Sequence, residues 1–506
     1  WVAATQTGFN ENWTNNIETN ISLEQNFDFI TKGLKFVGRF GYDSNNQNTI
    51  RRLKWPEQWL AERAGDPETG ELRWKKISGS QNMKQESSSS GNRREFLDMM
   101  LNWDRSFGAH HPSATIKYTQ DSYIQTQNLG EDLKTGINKR NQDLAGRVAY
   151  NWNYRYFADF NFGYNGSENF ADGHRFGFFP AFSVAWNVAE EPWIKKIAPW
   201  CNMFKLRYSW GKVGNDNLNI GGTQYRFPYL YTIGDGGSYQ WGDYSYDRNY
   251  VGLKYTDVAS VGATWEVATK HDVGVDLSLF NDKFTATVDY FHEQRDGIWM
   301  ERKYLPAIIG LSGITPRANV GSVLSEGFDG NFAYRQKIGK VDITVRGNIT
   351  YSKNTVLEKD EENNVYPYQM EEGYRVDQAK GLIALGLFKD YDDIRNSPKQ
   401  EFGTVQPGDI KYKDVNGDGV VNDGDRVAIG ATTRPNMIYG FGISGTWKGF
   451  DLNVHFQGAG KSSFFIDGPT VYAFSSGEWG NVLKDVAESD RWISADISGW
   501  SRRPRG

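Results

Sequence analysis

Three segments of this chain alternate apolar and polar residues with a period of two, and each folds back so that both arms keep their apolar series on one face. In the first, Val273, Val275, Leu277 and Leu279 precede Phe284, Ala286, Val288 and Tyr290, with Asn281-Asp282 between the arms. That dipeptide tolerates the positive φ of a two-residue type I′ turn, which predicts Phe280 opposite Lys283 and Leu279 opposite Phe284. In the second, Phe332, Tyr334 and Ile338 lead through Gly339-Lys340 to Val341, Ile343, Val345, Ile349 and Tyr351. In the third, Phe441, Ile443 and Trp447 lead through Lys448-Gly449 to Phe450, Leu452, Val454 and Phe456. A slip of one residue would turn every apolar side chain to the other face, so these registers are tightly specified. Less regular strands run from Leu34 to Tyr42 and from Arg147 to Tyr164.

The opposite faces carry Asp276, Ser278, Thr285, Thr287 and Asp289, then Thr344, Arg346, Asn348 and Thr350, then Asn453, His455 and Gln457. A soluble sandwich also alternates, so length and connection must decide. The strands are expected to run to about 9–11 residues, enough to cross a bilayer at a tilt. Two-residue turns occupy one end, whereas the segments Gly211 to Lys270 and Ser352 to Met437 occupy the other. Short turns on one side and long loops on the other mark an outer-membrane barrel. The expected class is therefore all-β, a transmembrane antiparallel β-barrel with long extracellular loops. Aromatic residues at 15% and 55 glycines suit many strands, tight turns and aromatic girdles. The longest apolar run, Gly381 to Phe388, falls far short of the roughly 18 residues of a membrane helix. With 57 basic against 62 acidic residues, nothing suggests a nucleic-acid surface. Cys201 alone cannot form an internal disulfide.

Several segments, in order, resemble the SusC/RagA family of TonB-dependent transporters. They are RFGFFPAFSVAWNVAEEPW (Arg175 to Trp193), FKLRYSWGKVGNDNL (Phe204 to Leu218) and TWEVATKHDVGVDLSLFNDKFTATVDYFHEQRDGIW (Thr264 to Trp299). NVGSVLSEGFDGNF (Asn319 to Phe332) and PGDIKYKDVNGDGVVNDGDRVAIG (Pro407 to Gly430) follow. Five ordered segments are far more specific than one. The resemblance implies a 22-stranded barrel in the outer-membrane lipid that imports a large nutrient, an oligosaccharide or oligopeptide. It implies a SusD-like lipoprotein over the mouth and energy from the TonB complex. The family's N-terminal plug domain and TonB box have no counterpart in the sequence, and the family's final aromatic strand is missing after Gly506. Residues 1–506 are thus expected to form a partial C-terminal barrel domain. The rival readings are a passive porin and a secreted, calcium-stabilised glycan-binding or adhesin β-protein.

The sharpest local motif runs from Asp414 to Asp425. Asp414, Asn416 and Asp418 offer side-chain oxygens, Gly419 permits a sharp turn, Val420 offers a carbonyl, and Asn422 and Asp425 complete a twelve-position calcium-loop pattern. Ca²⁺ takes six to eight oxygens, and carboxylates this crowded repel one another without a cation. The rival reading is a solvated turn rich in Asx residues. A structural calcium ion is the expectation. In the aromatic loop from Tyr225 to Tyr250, Trp241, Tyr244 and Tyr246 are candidate substrate contacts; the same residues would equally suit a girdle or a protein interface. Gly440 to Gly445 matches GxGxxG but lies inside an alternating strand, which excludes the dinucleotide fold. His110-His111, before Pro112, has no partner at metal-ligand spacing and is expected at an exposed strand end. No recognisable Ser-His-Asp or Cys-His set points to an enzyme.

Overall fold

The computed structural model describes residues 7–466, except 63–64, 66–67, 81, 131, 241–248, 304–307, 309–313 and 363–365, together with Lys484. One sheet of 14 strands dominates, and its spatial order follows the chain. Its strands are β1 (Gly8–Asn26), β2 (Leu34–Leu53), β3 (Lys84–Asp104), β4 (His110–Gln127), β5 (Lys139–Trp152), β6 (Tyr156–Ser167) and β7 (Phe176–Asn187). They continue as β8 (Cys201–Asn215), β9 (Glu266–Leu279), β10 (Phe284–Glu301), β11 (Arg317–Ile338), β12 (Val341–Glu358), β13 (Met437–Trp447) and β14 (Phe450–Gly460). Among the described residues, β1 and β14 are the two edges of the sheet.

The chain divides into two compact units. One gathers the strands up to Asn153 with Asp159–Ala181 and Gly214–Trp265; the other gathers Tyr154–Ala158, Phe182–Val213 and the residues from Glu266 onward. In the first, β1 to β5 pair antiparallel in sequence, and β2 and β3 match without a break from Leu34↔Trp103 to Leu53↔Lys84. In the second, β9 to β14 do the same.

The expected registers are present: Leu279 faces Phe284, Ile338 faces Val341, and Trp447 faces Phe450. The turns differ in kind. Lys448 and Gly449 both take positive φ, as a type I′ turn requires, whereas of Gly339 and Lys340 only the glycine does, as in type II′. The first hairpin corrects the expected two-residue turn. Phe280, Asn281 and Asp282 are all left-handed, and the ladder stops at Leu279. Phe280 is drawn to the neighbouring strand: its N–H donates to the Trp200 carbonyl at 2.7 Å and its ring stacks on Trp200 at 5.4 Å. The strands are also longer than expected, from 11 residues in β13 to 22 in β11, because many continue past the apolar band toward the long loops.

The apolar face is left uncovered. Val288 is 52% exposed, Phe332 43%, Phe441 54% and Phe456 55%, and no second sheet packs on them among the described residues. In water such a face would be an aggregation surface; in a bilayer it is the lipid-facing wall. On β12 the outward apolar positions run from Val341 to Tyr351. At about 3.4 Å per residue that is roughly 34 Å along the strand, or roughly 25 Å of height at a tilt near 40°. This matches the usual apolar band of an outer-membrane barrel. The connections agree: 153–155, 339–340 and 448–449 at one end, 216–265 and 359–436 at the other. No described helix is long and apolar enough to cross a membrane.

Replacing Ile349 by Arg on the lipid-facing side should cost about 2–4 kcal/mol, whereas Thr350→Arg on the polar side should cost far less. Urea titration of the full-length protein refolded into bilayers would check this.

Candidate functional site

The polar face of β8 to β14 is continuous. Across β10 to β12, Asp289, Asp329 and Thr350 lie in register, with Ile438 of β13 closing the row; across β10 to β13, Thr287, Asn331, Asn348 and Gly440 follow, then Arg346 beside Gly442. Its strongest feature joins three strands. Arg207 of β8 donates through Nε to Asp276 of β9 at 2.8 Å and through Nη2 to Asp289 of β10 at 2.8 Å. Gly274 leaves the room: a Cβ there would lie 2.0 Å from the Asp289 carboxylate and 2.7 Å from the guanidinium. Alternation put Asp276 and Asp289 on one face; Arg207 was missed as their partner. A charged residue at matching parity on three consecutive strands is the signal that would have found it.

Two of the quoted segments meet where β10 breaks its pairing near Gly297, which has φ 68°. The break leaves the Trp299 N–H without a strand partner, and buried Glu266 accepts it at 3.0 Å. Asn319 donates to the Gly297 carbonyl at 2.8 Å, and Ser322 to Asp296 at 2.7 Å. The bulge is thus pinned by side chains from β9 and β11.

In the other unit, Asp216 collects the amide of Asn141 at 3.0 Å and the hydroxyl of Ser167 at 2.7 Å. Asn169 donates to the Asp216 carbonyl at 3.0 Å and accepts the Phe227 N–H at 2.7 Å. Around this knot Phe170, Leu218 and Phe227 are buried, and Trp265 donates to the Arg175 carbonyl at 3.2 Å. Phe179 fits between Gly177 and Gly214, where a Cβ would lie 2.4 Å and 2.0 Å from its ring. Nearby, a cavity of about 530 Å³ is lined by Glu95, Arg140 and Glu168 with Phe40 and Phe176.

The excursion 359–436 folds on itself. Phe388 and Val421 are buried, Lys399–Gln400 pairs in parallel with Val420–Val421, and Lys411 donates to Asp393 at 2.8 Å. That ammonium holds the Asp393 carboxyl below its ordinary value. In the calcium-pattern loop, Asp414 accepts the N–H groups of Gly417 at 2.7 Å and Gly419 at 2.9 Å. Asn416 accepts from the Asp418 N–H at 3.0 Å, and Asp418 from the Val420 N–H at 2.8 Å. Asn422 caps the Asp423–Asp425 turn. Asp425 is fully buried and accepts from Val415 at 2.7 Å and Asn422 at 2.8 Å. Among the described residues no three acidic, His or Cys side chains converge as a ready metal cluster. The Tyr368 hydroxyl donates to the Gly424 carbonyl at 2.7 Å. Burial first, then the charge of Asp425 and its neighbours, raises the Tyr368 phenol above its ordinary value.

Trp241, Tyr244 and Tyr246 lie outside the described residues. The adjoining hairpin, Thr232–Gln240 with Asn249–Asp257, exposes Tyr239 and Tyr250, and Lys134 holds its base through Asp257 at 2.7 Å. His110 opens β4 and meets the Tyr150 hydroxyl at 2.6 Å, while Gly440 and Gly442 lie within β13.

An uncovered apolar face, an opposite polar face and loops on one side define a strand-built outer-membrane protein. No protein-family model matches the chain. It is 24% identical over 473 residues to the TonB-dependent receptor P3 of Formosa agariphila, covering 85% of this chain and 43% of that protein. It is 22% identical over 360 residues to the TonB-dependent receptor SusC of Bacteroides thetaiotaomicron, covering 69% and 34%. The chain therefore spans less than half the length of these curated relatives. Its fold matches the RagAB peptide importer in its open-open state with a TM-score of 0.69 at 14% identity, covering 98% of this chain and 52% of that one. In sequence and fold the chain is similar to SusC/RagA-like TonB-dependent receptors, and it is an outer-membrane protein.

Gly214→Ala should destabilise the first unit by about 1–3 kcal/mol through overpacking against Phe179. Phe179→Leu in the same chain should recover part of the loss, read as the urea midpoint of the full-length protein.

Proposed function

We propose that this chain forms the wall and outer mouth of a TonB-dependent importer for a large nutrient, an oligosaccharide or oligopeptide. The observation that carries the reading is the division of one sheet into an exposed apolar face and a continuous polar face. The apolar face meets lipid, and the polar face offers a translocating solute hydrogen-bonding groups on the side away from it. The resemblance to SusC and the shared fold with a peptide importer support the TonB-dependent class. The work is binding and passage, with no bond made or broken by this chain. A SusD-like lipoprotein covers the loop-bearing end. Trp241, Tyr244 and Tyr246 are proposed as substrate contacts in that mouth. Deleting the gene should abolish growth on one oligosaccharide or oligopeptide in a panel while sparing its monomers. An affinity-tagged receptor should also retain a surface lipoprotein after detergent extraction. Unchanged growth on the whole panel would remove the importer reading.

The loop Asp414–Asp425 is proposed to take Ca²⁺ as a structural ion, with Asp414, Asn416, Asp418, Val420, Asn422 and Asp425 supplying oxygens. Asp414, Asn416 and Asp418 keep oxygen lone pairs beyond those that accept backbone N–H groups, so the donor chemistry fits a hard cation. Asp425 already holds two walls of the loop, which lets it serve as the hinge on which the other oxygens gather. Micromolar to millimolar Ca²⁺ should slow proteolysis of the excursion 359–436, and Asp414→Ala should abolish that protection. Protection that is equal with and without Asp414 would remove the ion from this site.

A further inference from the structure

On the lipid-facing side of the second unit, the apolar rows end abruptly. Val273, Tyr290, Phe328 and Tyr351 stand in register across β9 to β12. Two residues further toward the loops, the same four strands present His271, His292, Glu326 and Lys353. The row is connected. On β8 the Tyr208 hydroxyl lies 3.1 Å from His271 Nδ1, the two imidazoles meet edge to face at 6.1 Å, and His292 Nδ1 lies 4.0 Å from Glu326. Just past β14, the Lys461 ammonium sits over the Tyr351 ring at 5.3 Å.

The position of this row within the band is informative. On β12 the apolar run from Val341 to Tyr351 fills the expected band, so Lys353 stands at its upper boundary. On β10 the outward apolar run from Phe284 to Tyr290 covers only about 20 Å along the strand, roughly 16 Å of height. Tyr290 ends that run in the same register row as Tyr351, so the histidines stand with Lys353 at the boundary of the band, where lipid headgroups meet acyl chains. The flanks remain apolar and aromatic: Phe182 packs against Trp210 at 5.4 Å, and Phe328 against Tyr351 at 5.8 Å. The occupant must therefore be amphipathic, with an apolar body along these rings and an acceptor-rich, anionic head at the row.

We propose that Tyr208, His271, His292 and Lys353, with Lys461 beside them, bind the phosphate-bearing headgroup of an anionic outer-leaflet lipid. The proposal rests on the outer-membrane reading. Lys353 and Lys461 supply charge, and Nε2 of each imidazole faces no partner among the described residues and can donate to a phosphate oxygen. Glu326 is the one carboxylate in the row; it orients His292 and opposes the phosphate charge.

The test uses the full-length protein in nanodiscs of phosphatidylcholine containing a minor fraction of phosphatidic acid, with retained lipids counted by native mass spectrometry. Wild type should retain phosphatidic acid in preference to phosphatidylcholine. The triple variant His271→Ala, His292→Ala, Lys353→Ala should lose that preference by roughly five- to tenfold, as removal of charge-assisted hydrogen bonds implies. Glu326→Gln, which removes no donor, should retain or strengthen it. Equal preference in wild type and the triple variant overturns the proposal, as does a weaker preference in Glu326→Gln. Binding of inorganic phosphate to the same residues without any lipid preference also overturns it. Heat-modifiable migration of each variant reports insertion separately, so a failed lipid preference would be distinguishable from a failed membrane reading.

Discussion

A polypeptide that enters hydrocarbon must leave no backbone N–H or C=O unpaired inside it, because each orphan costs several kcal/mol there. For a chain without long apolar helices, strand-to-strand pairing is the remaining solution, and the rest of this structure follows from it. The long ladders are unbroken where they cross the apolar band, as from Leu34 to Leu53 on β2 and from Val341 to Tyr351 on β12. Departures fall outside it. The bulge at Gly297 lies beyond the last apolar row, and there the freed Trp299 N–H is met by the Glu266 carboxylate.

Pairing leaves only side chains to distinguish the two environments, and a period of two assigns them automatically. The lipid-facing positions carry aromatic and branched residues with no polar partner to satisfy, while the opposite positions carry groups that need one. Arg207 between Asp276 and Asp289 shows the consequence: one guanidinium bridges two carboxylates on neighbouring strands within the polar wall, with Gly274 providing the space. The loop-bearing end obeys different physics. There the segments cannot rely on neighbouring strands, so they build small cores of their own around Phe170, Leu218 and Phe227 in one unit and Phe388 and Val421 in the other. Polar knots at half-buried Asp216 and fully buried Asp425 fix the backbone around those cores.

In the three hairpins, strand identity, register and the apolar face were legible before any coordinates, as Ile338 opposite Val341 and Trp447 opposite Phe450 attest. They were legible because alternation and turn chemistry act within a few residues. The single irregular strand expected from Arg147 to Tyr164 is instead β5 and β6 with a turn between them. The four-residue connection at Phe280 escaped that logic, since its cause is Trp200, in the turn just before β8. The ordered segments shared with the SusC/RagA family were visible as letters, yet their purpose was not. Glu266 serves the Trp299 backbone and Gly214 serves the Phe179 ring, each across a long stretch of chain.

What the sequence determined by itself was therefore the sheet, its two chemically distinct faces and its two unlike ends. Each depends on local periodicity, which survives in a string of residues. Only the tertiary structure decided that Arg207 would stand between two aspartates, that Asp216 would tie Ser167 to Asn141, and that two histidines and a lysine would share one lipid-facing row. Those groupings arise from the stagger between paired strands and from loop closure. Both bring together residues whose separation along the chain carries no sign of their contact.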